Sequence, residues 1–260
     1  MTIAHSPHSL VSLSKIPEIT LSFWIIKILS TTVGETGADY LAVNAGWGQG
    51  ITRAVMGALL CAILALQLGS RRLRLWLYWL AVVLVSIVGT QITDLLTDGL
   101  GVSLYVSTAL FSVALTAIFA IWYAKERTLS IHTIVTRRRE LFYWAAILCT
   151  FALGTAAGDL ATEAAGLGFT HGAVIFGALI AGTWLLFRAG VNPVATFWIA
   201  YVLTRPFGAA LGDLLTQART YGGLGLGAQW TSALFLAAIA GMVATVEFQT
   251  RSHGATSQTR

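Results

Sequence analysis

Charged residues are scarce in this sequence, since aspartate, glutamate, lysine and arginine make up only 10% of its 260 residues. Soluble domains carry roughly 25% charge, so this composition excludes an ordinary soluble domain. The sequence has 2 cysteines, Cys61 and Cys149, and neither has the CxxC or Cys/His spacing that a zinc or redox site needs. It also lacks a P-loop, an HExxH motif and a GxSxG motif, which excludes the soluble enzyme classes that those motifs define.

Apolar residues are abundant and reach 56% of the chain. A bilayer core of about 30 Å requires about 20 mostly apolar residues for each spanning helix. We therefore predict an all-α polytopic membrane protein with eight transmembrane helices. The predicted helices cover residues 20–41, 51–69, 75–97, 102–124, 141–161, 171–188, 195–216 and 228–248.

Basic residues concentrate in the connections that follow even-numbered helices, and such residues are retained on the cytoplasmic side. We therefore predict an inner-membrane protein with both termini in the cytoplasm. The net charge of +5 reflects this topology, and no nucleic acid partner is predicted. The predicted segments are a tail at 1–19, a first pair of helical hairpins at 20–124, a basic linker at 125–140, a second pair at 141–248 and a tail at 249–260.

A repeat without gaps occurs four times in the chain. Each copy has an aromatic residue and a tryptophan, then a glycine ten residues after the tryptophan, a small residue four residues later, and an aspartate next. The copies are Phe23-Trp24 with Gly34, Ala38 and Asp39; Tyr78-Trp79 with Gly89, Thr93 and Asp94; Tyr143-Trp144 with Gly154, Gly158 and Asp159; and Phe197-Trp198 with Gly208, Gly212 and Asp213. Because a Gly-x-Gly turn and a second helix follow each aspartate, we predict four parallel two-helix repeats in a pseudo-fourfold arrangement.

The repeated residues have structural interpretations as well. We interpret the four tryptophans as anchors in the cytoplasmic headgroup region rather than as residues that stack on a substrate. The glycines are interpreted as residues of close helix packing and of tight turns, because glycine is small and tolerates positive φ.

Charged residues of the odd-numbered helices form the candidate site. At about 100° per residue, Lys27, Glu35 and Asp39 fall in one sector of the first helix, and Arg205 occupies the position of Thr31 in the fourth copy. Lipid cannot accept this sector, so it should face the bundle interior. The predicted substrate- or ion-binding residues are Glu35, Asp39, Asp94, Asp159, Asp213, Lys27 and Arg205, with Asp98 and Glu163 at an outer mouth. The candidate metal ligands are Glu35, Asp39, Asp94, Asp159 and Asp213.

Each part of this site has two interpretations. The aspartates either bind an ion or a proton, or cap the following turn and bond to a neighbouring hairpin. Lys27 either stays inside the bundle or extends its ammonium to the cytoplasmic surface. Arg205, which precedes Pro206, either forms an internal ion pair or contacts a substrate.

The repeat resembles the bacterial domain of unknown function 347 family, in which four tandem two-helix repeats each carry a tryptophan. The resemblance is most specific in the first copy, at residues 27–35 and Asp39, and later copies keep the tryptophan, glycine and aspartate but lose the lysine and glutamate. This resemblance implies the architecture and brings no established activity.

The sequence favours a transporter that handles a metal ion or a proton-coupled solute at a carboxylate-lined site between the repeats. Its predicted partners are the lipid bilayer and that small cation or solute, with no catalytic residues and no cofactor. The alternative is a non-transporting scaffold, or an intramembrane enzyme or redox partner subunit. Whether the aspartates converge on one cavity distinguishes the two.

Overall fold

The computed structural model describes residues 14–41, 48–70 and 72–257, with the side chains of Asp39 and of 250–257 outside the description. Throughout these ranges the regular structure is helical and no strand occurs, so the all-α prediction is confirmed. The helices are α1 Leu21–Asp39, α2 Gly48–Gly69, α3 Leu75–Asp94, α4 Leu104–Glu126, α5 Arg137–Asp159, α6 Gly168–Arg188, α7 Pro193–Thr216 and α8 Ala228–Ser257. Single π-helical turns at Leu95–Gly99 and Leu160–Ala164 continue α3 and α5.

Capping residues determine where several helices begin. The Thr20 hydroxyl accepts a hydrogen bond from the Phe23 amide at 3.3 Å and starts α1. Thr136 does the same for α5, accepting from the Arg139 amide at 3.3 Å. Helix α5 therefore begins four residues before the predicted span and includes the arginine triplet 137–139, which the sequence had placed in the linker.

Seven segments of the described chain are long and apolar enough to cross a membrane, which indicates a multi-pass membrane protein. They are Gly48–Gly69, Leu75–Gly99, Leu104–Glu126, Arg137–Ala164, Gly168–Arg188, Pro193–Thr216 and Ala228–Gln249. Helix α1, which contains Lys27 and Glu35, is not among them.

The four odd-numbered helices form the inside of the fold, and each packs against the next. Helix α1 contacts α3, α3 contacts α5, α5 contacts α7, and α7 contacts α1. The even-numbered helices lie outside: α2 packs mainly on α3, α4 on α5, α6 on α7 and α8 on α1. Each outer helix therefore packs against the inner helix of the following repeat, and not mainly against that of its own hairpin.

Glycines allow the inner helices to approach each other closely, as the sequence predicted. A Cβ added to any of the four repeat glycines would overlap a side chain of the next inner helix. That side chain always lies three residues before the repeat glycine of its own helix. The contacts are Gly34 with Ser86, Gly89 with Phe151, Gly154 with Arg205, and Gly208 with Thr31. The turns also require glycine, since Gly101, Gly168 and Gly225 have φ of +68°, +70° and +74°.

Aromatic residues form a layer at the N-terminal ends of the inner helices. The aromatic residue that precedes each repeat tryptophan packs on the tryptophan of the next inner helix. The ring-centroid distances are 5.3 Å for Phe23 and Trp79, 5.6 Å for Tyr78 and Trp144, 6.2 Å for Tyr143 and Trp198, and 5.7 Å for Phe197 and Trp24. We call these eight residues the aromatic layer.

The headgroup-anchoring interpretation is wrong for three of the four tryptophans. Trp79, Trp144 and Trp198 are only 3%, 4% and 6% exposed, so their rings fill the space between helices. The Trp198 indole donates a hydrogen bond to the Leu129 carbonyl at 3.0 Å, inside the protein. Packing between repeats, and not contact with lipid headgroups, is therefore the role of the tryptophan in these three copies.

The segment before α1 covers the same end of the bundle. The Lys15 ammonium lies 2.6 Å from Glu140 Oε2, and Gln67 donates to Glu140 Oε1 at 3.3 Å. The Lys15 amide donates to the Ile134 carbonyl at 3.2 Å, and Ile16 is buried in the apolar core. The chain before α1, the end of α2, the linker and the start of α5 are thereby joined below the aromatic layer.

Candidate functional site

Polar and charged residues of the inner helices lie in levels that are four residues apart, which is about 6 Å along a helix. We count positions from the repeat glycine of each helix. Lys27 lies seven residues before the glycine of its helix, and Arg205 lies three residues before the glycine of its own. One residue after the glycine come Glu35, Thr90 and Thr155. The four aspartates come five residues after it. Asp98 and Glu163 come nine residues after it. The inner helices thus carry charge from below their middle to their C-terminal ends.

Arg205 lies between the inner helices and joins all four of them. Its side chain is fully buried, and Nη2 lies 2.7 Å from Glu35 Oε2 of α1. The same nitrogen donates to the hydroxyls of Thr90 of α3 and Thr155 of α5, the latter at 2.8 Å. Nη1 donates to the Thr31 carbonyl at 3.3 Å. Of the two interpretations of Arg205, the structure shows the internal ion pair, and contact with a substrate stays a prediction.

The three side chains that meet Arg205 Nη2 occupy the same repeat position in three different helices. Glu35, Thr90 and Thr155 each come directly after a repeat glycine, and Ala209 holds this position in α7. We call these three residues the oxygen triad. The sequence identified Glu35 but not the two threonines, although their common repeat position was a usable signal.

Lys27 lies inside the bundle, one level below Arg205. The residue is 1% exposed, and its ammonium lies over the rings of Phe151 and Tyr201 at 4.1 and 4.2 Å from their centroids. Among the described residues the ammonium has no hydrogen-bond partner, so cation–π contact is its visible compensation. The alternative in which Lys27 reaches the cytoplasmic surface is wrong.

The aspartates lie one level beyond the oxygen triad. Asp213 is buried, and Asp94 and Asp159 are half-buried. Asp159 interacts electrostatically with Glu35, Asp213, Glu163 and Arg205, so the carboxylates of three inner helices approach one another. The Asp39 side chain lies outside the described part of the chain, and its predicted role stays a prediction.

The capping interpretation does not hold for Asp94 and Asp159. Each stands directly before a π-helical turn, and neither side chain accepts a capping hydrogen bond from that turn. The π turns contain Asp98 and Glu163, which are both exposed. Glu163 interacts electrostatically with Glu35 and Asp98. Exposure therefore increases from Glu35 through Asp94 and Asp159 to Asp98 and Glu163.

No metal-ion cluster is visible where the structure describes side chains. Within that part of the chain, no three His, Cys, Asp or Glu residues are close enough to hold a metal ion. Glu35 is bonded to Arg205 instead. Metal binding by Glu35, Asp39, Asp94, Asp159 and Asp213 stays a prediction, because Asp39 would have to complete such a group.

Long apolar helices around a core of buried charged residues define a polytopic helical membrane protein. The chain belongs to the family described as Repeat of Unknown Function (DUF347), whose repeat matches residues 22–73, 77–128, 142–189 and 196–252. The resemblance seen in the sequence is thereby confirmed. Neither a curated protein nor a solved structure matches this chain.

Proposed function

We propose that this protein is a membrane transporter that handles a small cation, either as a metal ion or as the ion coupled to a solute. The observation that carries the proposal is the position of Glu35, which lies at the buried end of a series of carboxylates and is bonded to Arg205. A buried ion pair is costly unless something requires it. The ion pair would have a function if Glu35 released Arg205 and bound the transported cation in its place.

The charges favour cations at the acidic side of the site. Asp94, Asp159 and Asp213 lie beyond Glu35, and the carboxylates of Asp98 and Glu163 are exposed beyond them. Negative side chains in a partly enclosed region raise the local concentration of cations. Hard cations also prefer carboxylate, hydroxyl and carbonyl oxygens, which are the groups present here.

Closure at the opposite end favours a carrier over an open channel. On the side of Glu35 that is away from the aspartates, the bundle interior contains Arg205 and then Lys27. The aromatic layer follows, and then the segment around Lys15 and Ile16. Two buried basic side chains on this side oppose the passage of a cation. A transported ion would therefore need a second arrangement of the repeats, as in alternating access.

We also propose the finer architecture that the sequence predicts. In this arrangement α1 spans the membrane with the other seven helices, because its charged sector faces α3 and α7 rather than lipid. The cyclic contacts between inner helices support four parallel repeats around a pseudo-fourfold axis. The membrane is the bacterial inner membrane, and both termini are cytoplasmic.

The transport proposal is tested by ion flux in liposomes that contain the purified protein. A panel of monovalent and divalent cations is supplied with and without a pH gradient. We expect flux in the wild type and its loss in Glu35→Gln and Asp39→Asn, because each removes a carboxylate from the path. Glu18→Gln is the matched control, since Glu18 is exposed before α1.

Two outcomes contradict the proposal. One is the absence of flux for every cation in the wild type, and the other is wild-type flux with unchanged pH dependence in Glu35→Gln/Asp39→Asn. In either case the carboxylates are structural. The protein is then a scaffold, or an intramembrane enzyme or redox partner subunit.

The orientation is tested by labelling single cysteines in intact cells, in a chain with Cys61 and Cys149 replaced by alanine. Leu100 and Arg138 are exposed at opposite ends of the bundle. We expect a membrane-impermeant reagent to label Leu100→Cys from outside, and Arg138→Cys only after the cells are opened. The reverse pattern would show that the termini are extracytoplasmic.

A further inference from the structure

The oxygen triad of Glu35, Thr90 and Thr155 converges on a single atom, Arg205 Nη2. The three oxygens come from three helices, so no local feature of one helix creates the arrangement. The arrangement results from the repeat, because the three side chains occupy the same repeat position in α1, α3 and α5. Three oxygens around one positively charged atom form the environment of a small bound cation.

A guanidinium fits this environment poorly. Nη2 carries two hydrogens and faces three acceptors, whereas Nε, which also carries a hydrogen, has no partner among the described residues. An ion without directional hydrogens has no such mismatch. The donor set therefore suits a spherical cation better than the side chain that now fills it.

The two threonine hydroxyls are oriented to accept. Thr90 Oγ1 donates its hydrogen to the Ser86 carbonyl at 3.2 Å, and Thr155 Oγ1 donates to the Phe151 carbonyl at 3.1 Å. With each hydrogen committed to its own helix, the oxygen lone pairs point at Nη2. Both hydroxyls are thus preorganised as ligands for a positive charge.

Charge limits which cation can bind. The oxygen triad contains one carboxylate, so a single positive charge neutralises it. A divalent ion would carry one positive charge more than this carboxylate neutralises. It would also lie close to the charges of Arg205 and Lys27. Within the described side chains, no group of three carboxylate, histidine or cysteine residues could hold a metal ion.

We propose that the oxygen triad is a binding site for a monovalent inorganic cation, and that Arg205 is a tethered competitor that occupies it between transport events. This rests on the transport function proposed above and names its substrate class. Entry of the ion displaces Nη2 from Glu35. The freed guanidinium then faces the aspartates one or two levels away, and Asp159 already interacts with it electrostatically.

The test uses the full chain with Arg205→Met, in which Cβ and Cγ still pack on Gly154 and the guanidinium is gone. Thermal unfolding is measured against KCl, NaCl or LiCl at constant ionic strength, with N-methylglucamine chloride as the balance. We expect saturable stabilisation by at least one of the three ions. The half-saturating salt concentration should be at least about tenfold higher in the wild type than in Arg205→Met, because Arg205 competes with the ion for the oxygen triad.

Variants of the oxygen triad serve as controls in the Arg205→Met background. Glu35→Gln should remove the stabilisation completely. Thr90→Val and Thr155→Val should each raise the half-saturating concentration about tenfold, since each deletes one ligand and keeps the side-chain shape. Glu18→Gln should change nothing. Absence of saturable stabilisation, its persistence in Glu35→Gln, or a larger effect of MgCl2 or CaCl2 would overturn the site.

If Arg205→Met does not fold, the wild type with Thr90→Val or Thr155→Val is compared in liposomes. A changed selectivity among K+, Na+ and Li+ supports the site, and unchanged selectivity overturns it. Failure of the two proposals is distinguishable. If the ion binds but no flux occurs, the transport proposal is wrong and the binding site stands. If flux occurs and does not change in the variants of the oxygen triad, the binding site is wrong and the transport proposal stands.

Discussion

Leucine in place of Gly208 should prevent the inner helices from closing and abolish a stable fold. Even a single added Cβ would overlap the Thr31 side chain and lie 3.2 Å from the Thr32 amide nitrogen. Backbone atoms cannot rotate away, so α1 and α7 would have to separate. Overpacking costs about 1–3 kcal/mol where side chains can adjust, and we expect about 3 kcal/mol or more here.

The Gly208→Leu effect is measured as the yield of monodisperse protein and the midpoint of thermal unfolding. Gly154→Leu should behave similarly, since Gly154 packs on Arg205 and Pro206. Gly182→Leu is the matched control, because Gly182 lies within α6 with open space around its Cβ position. Equal losses in Gly182→Leu and Gly208→Leu, or wild-type stability in Gly208→Leu, would refute the packing role of the repeat glycines.

Lys15→Met should destabilise the protein by about 3–5 kcal/mol, because it leaves the Glu140 carboxylate buried without a counter-charge. Glu140 is 0% exposed, and Gln67 is the other side chain that bonds to it. The loss should be large although Lys15 lies outside every helix. It would show that the segment before α1 is an integral part of the bundle.

Two comparisons make the Lys15→Met result specific. Adding Glu140→Gln should recover most of the stability, since a neutral amide needs no counter-charge and still accepts from Gln67. Arg138→Met breaks an ion pair with Glu126, but the Arg138 side chain is 66% exposed, and we expect a loss below about 1 kcal/mol. Equal losses for Lys15→Met and Arg138→Met, or no recovery in the double variant, would contradict the prediction.

Sequence periodicity predicted which face of each inner helix is buried. The spacing of Lys27, Thr31 and Glu35 places them in one sector, and all three are buried. Arg205 was identified because it replaces Thr31 in the fourth copy, and an unpaired charge at that depth would be too costly. Repeat spacing and the cost of buried charge were sufficient for these residues.

The partners of that face could not be predicted in the same way. Periodicity gives the direction of a side chain but not the helix that it meets, so Thr90 and Thr155 were not recognised as ligands of Arg205. The tryptophans were misassigned because indole suits both a headgroup region and a packed aromatic layer. Lys15 and Glu140 are 125 residues apart in the chain, and the sequence around either residue does not predict their ion pair.

The cyclic packing of the inner helices has a consequence for synthesis. Glu35 finds Arg205 170 residues later in the chain, and Thr36 bonds to Ser232 at 2.6 Å, 196 residues later. At about 5–20 residues per second, roughly 10–40 s pass between translation of α1 and of its partners. During that time α1, which carries the buried Lys27 and Glu35, has neither its counter-charge from α7 nor its outer neighbour α8. We therefore expect nascent chains of this protein to depend on the insertion machinery to shelter α1 until the last repeat arrives.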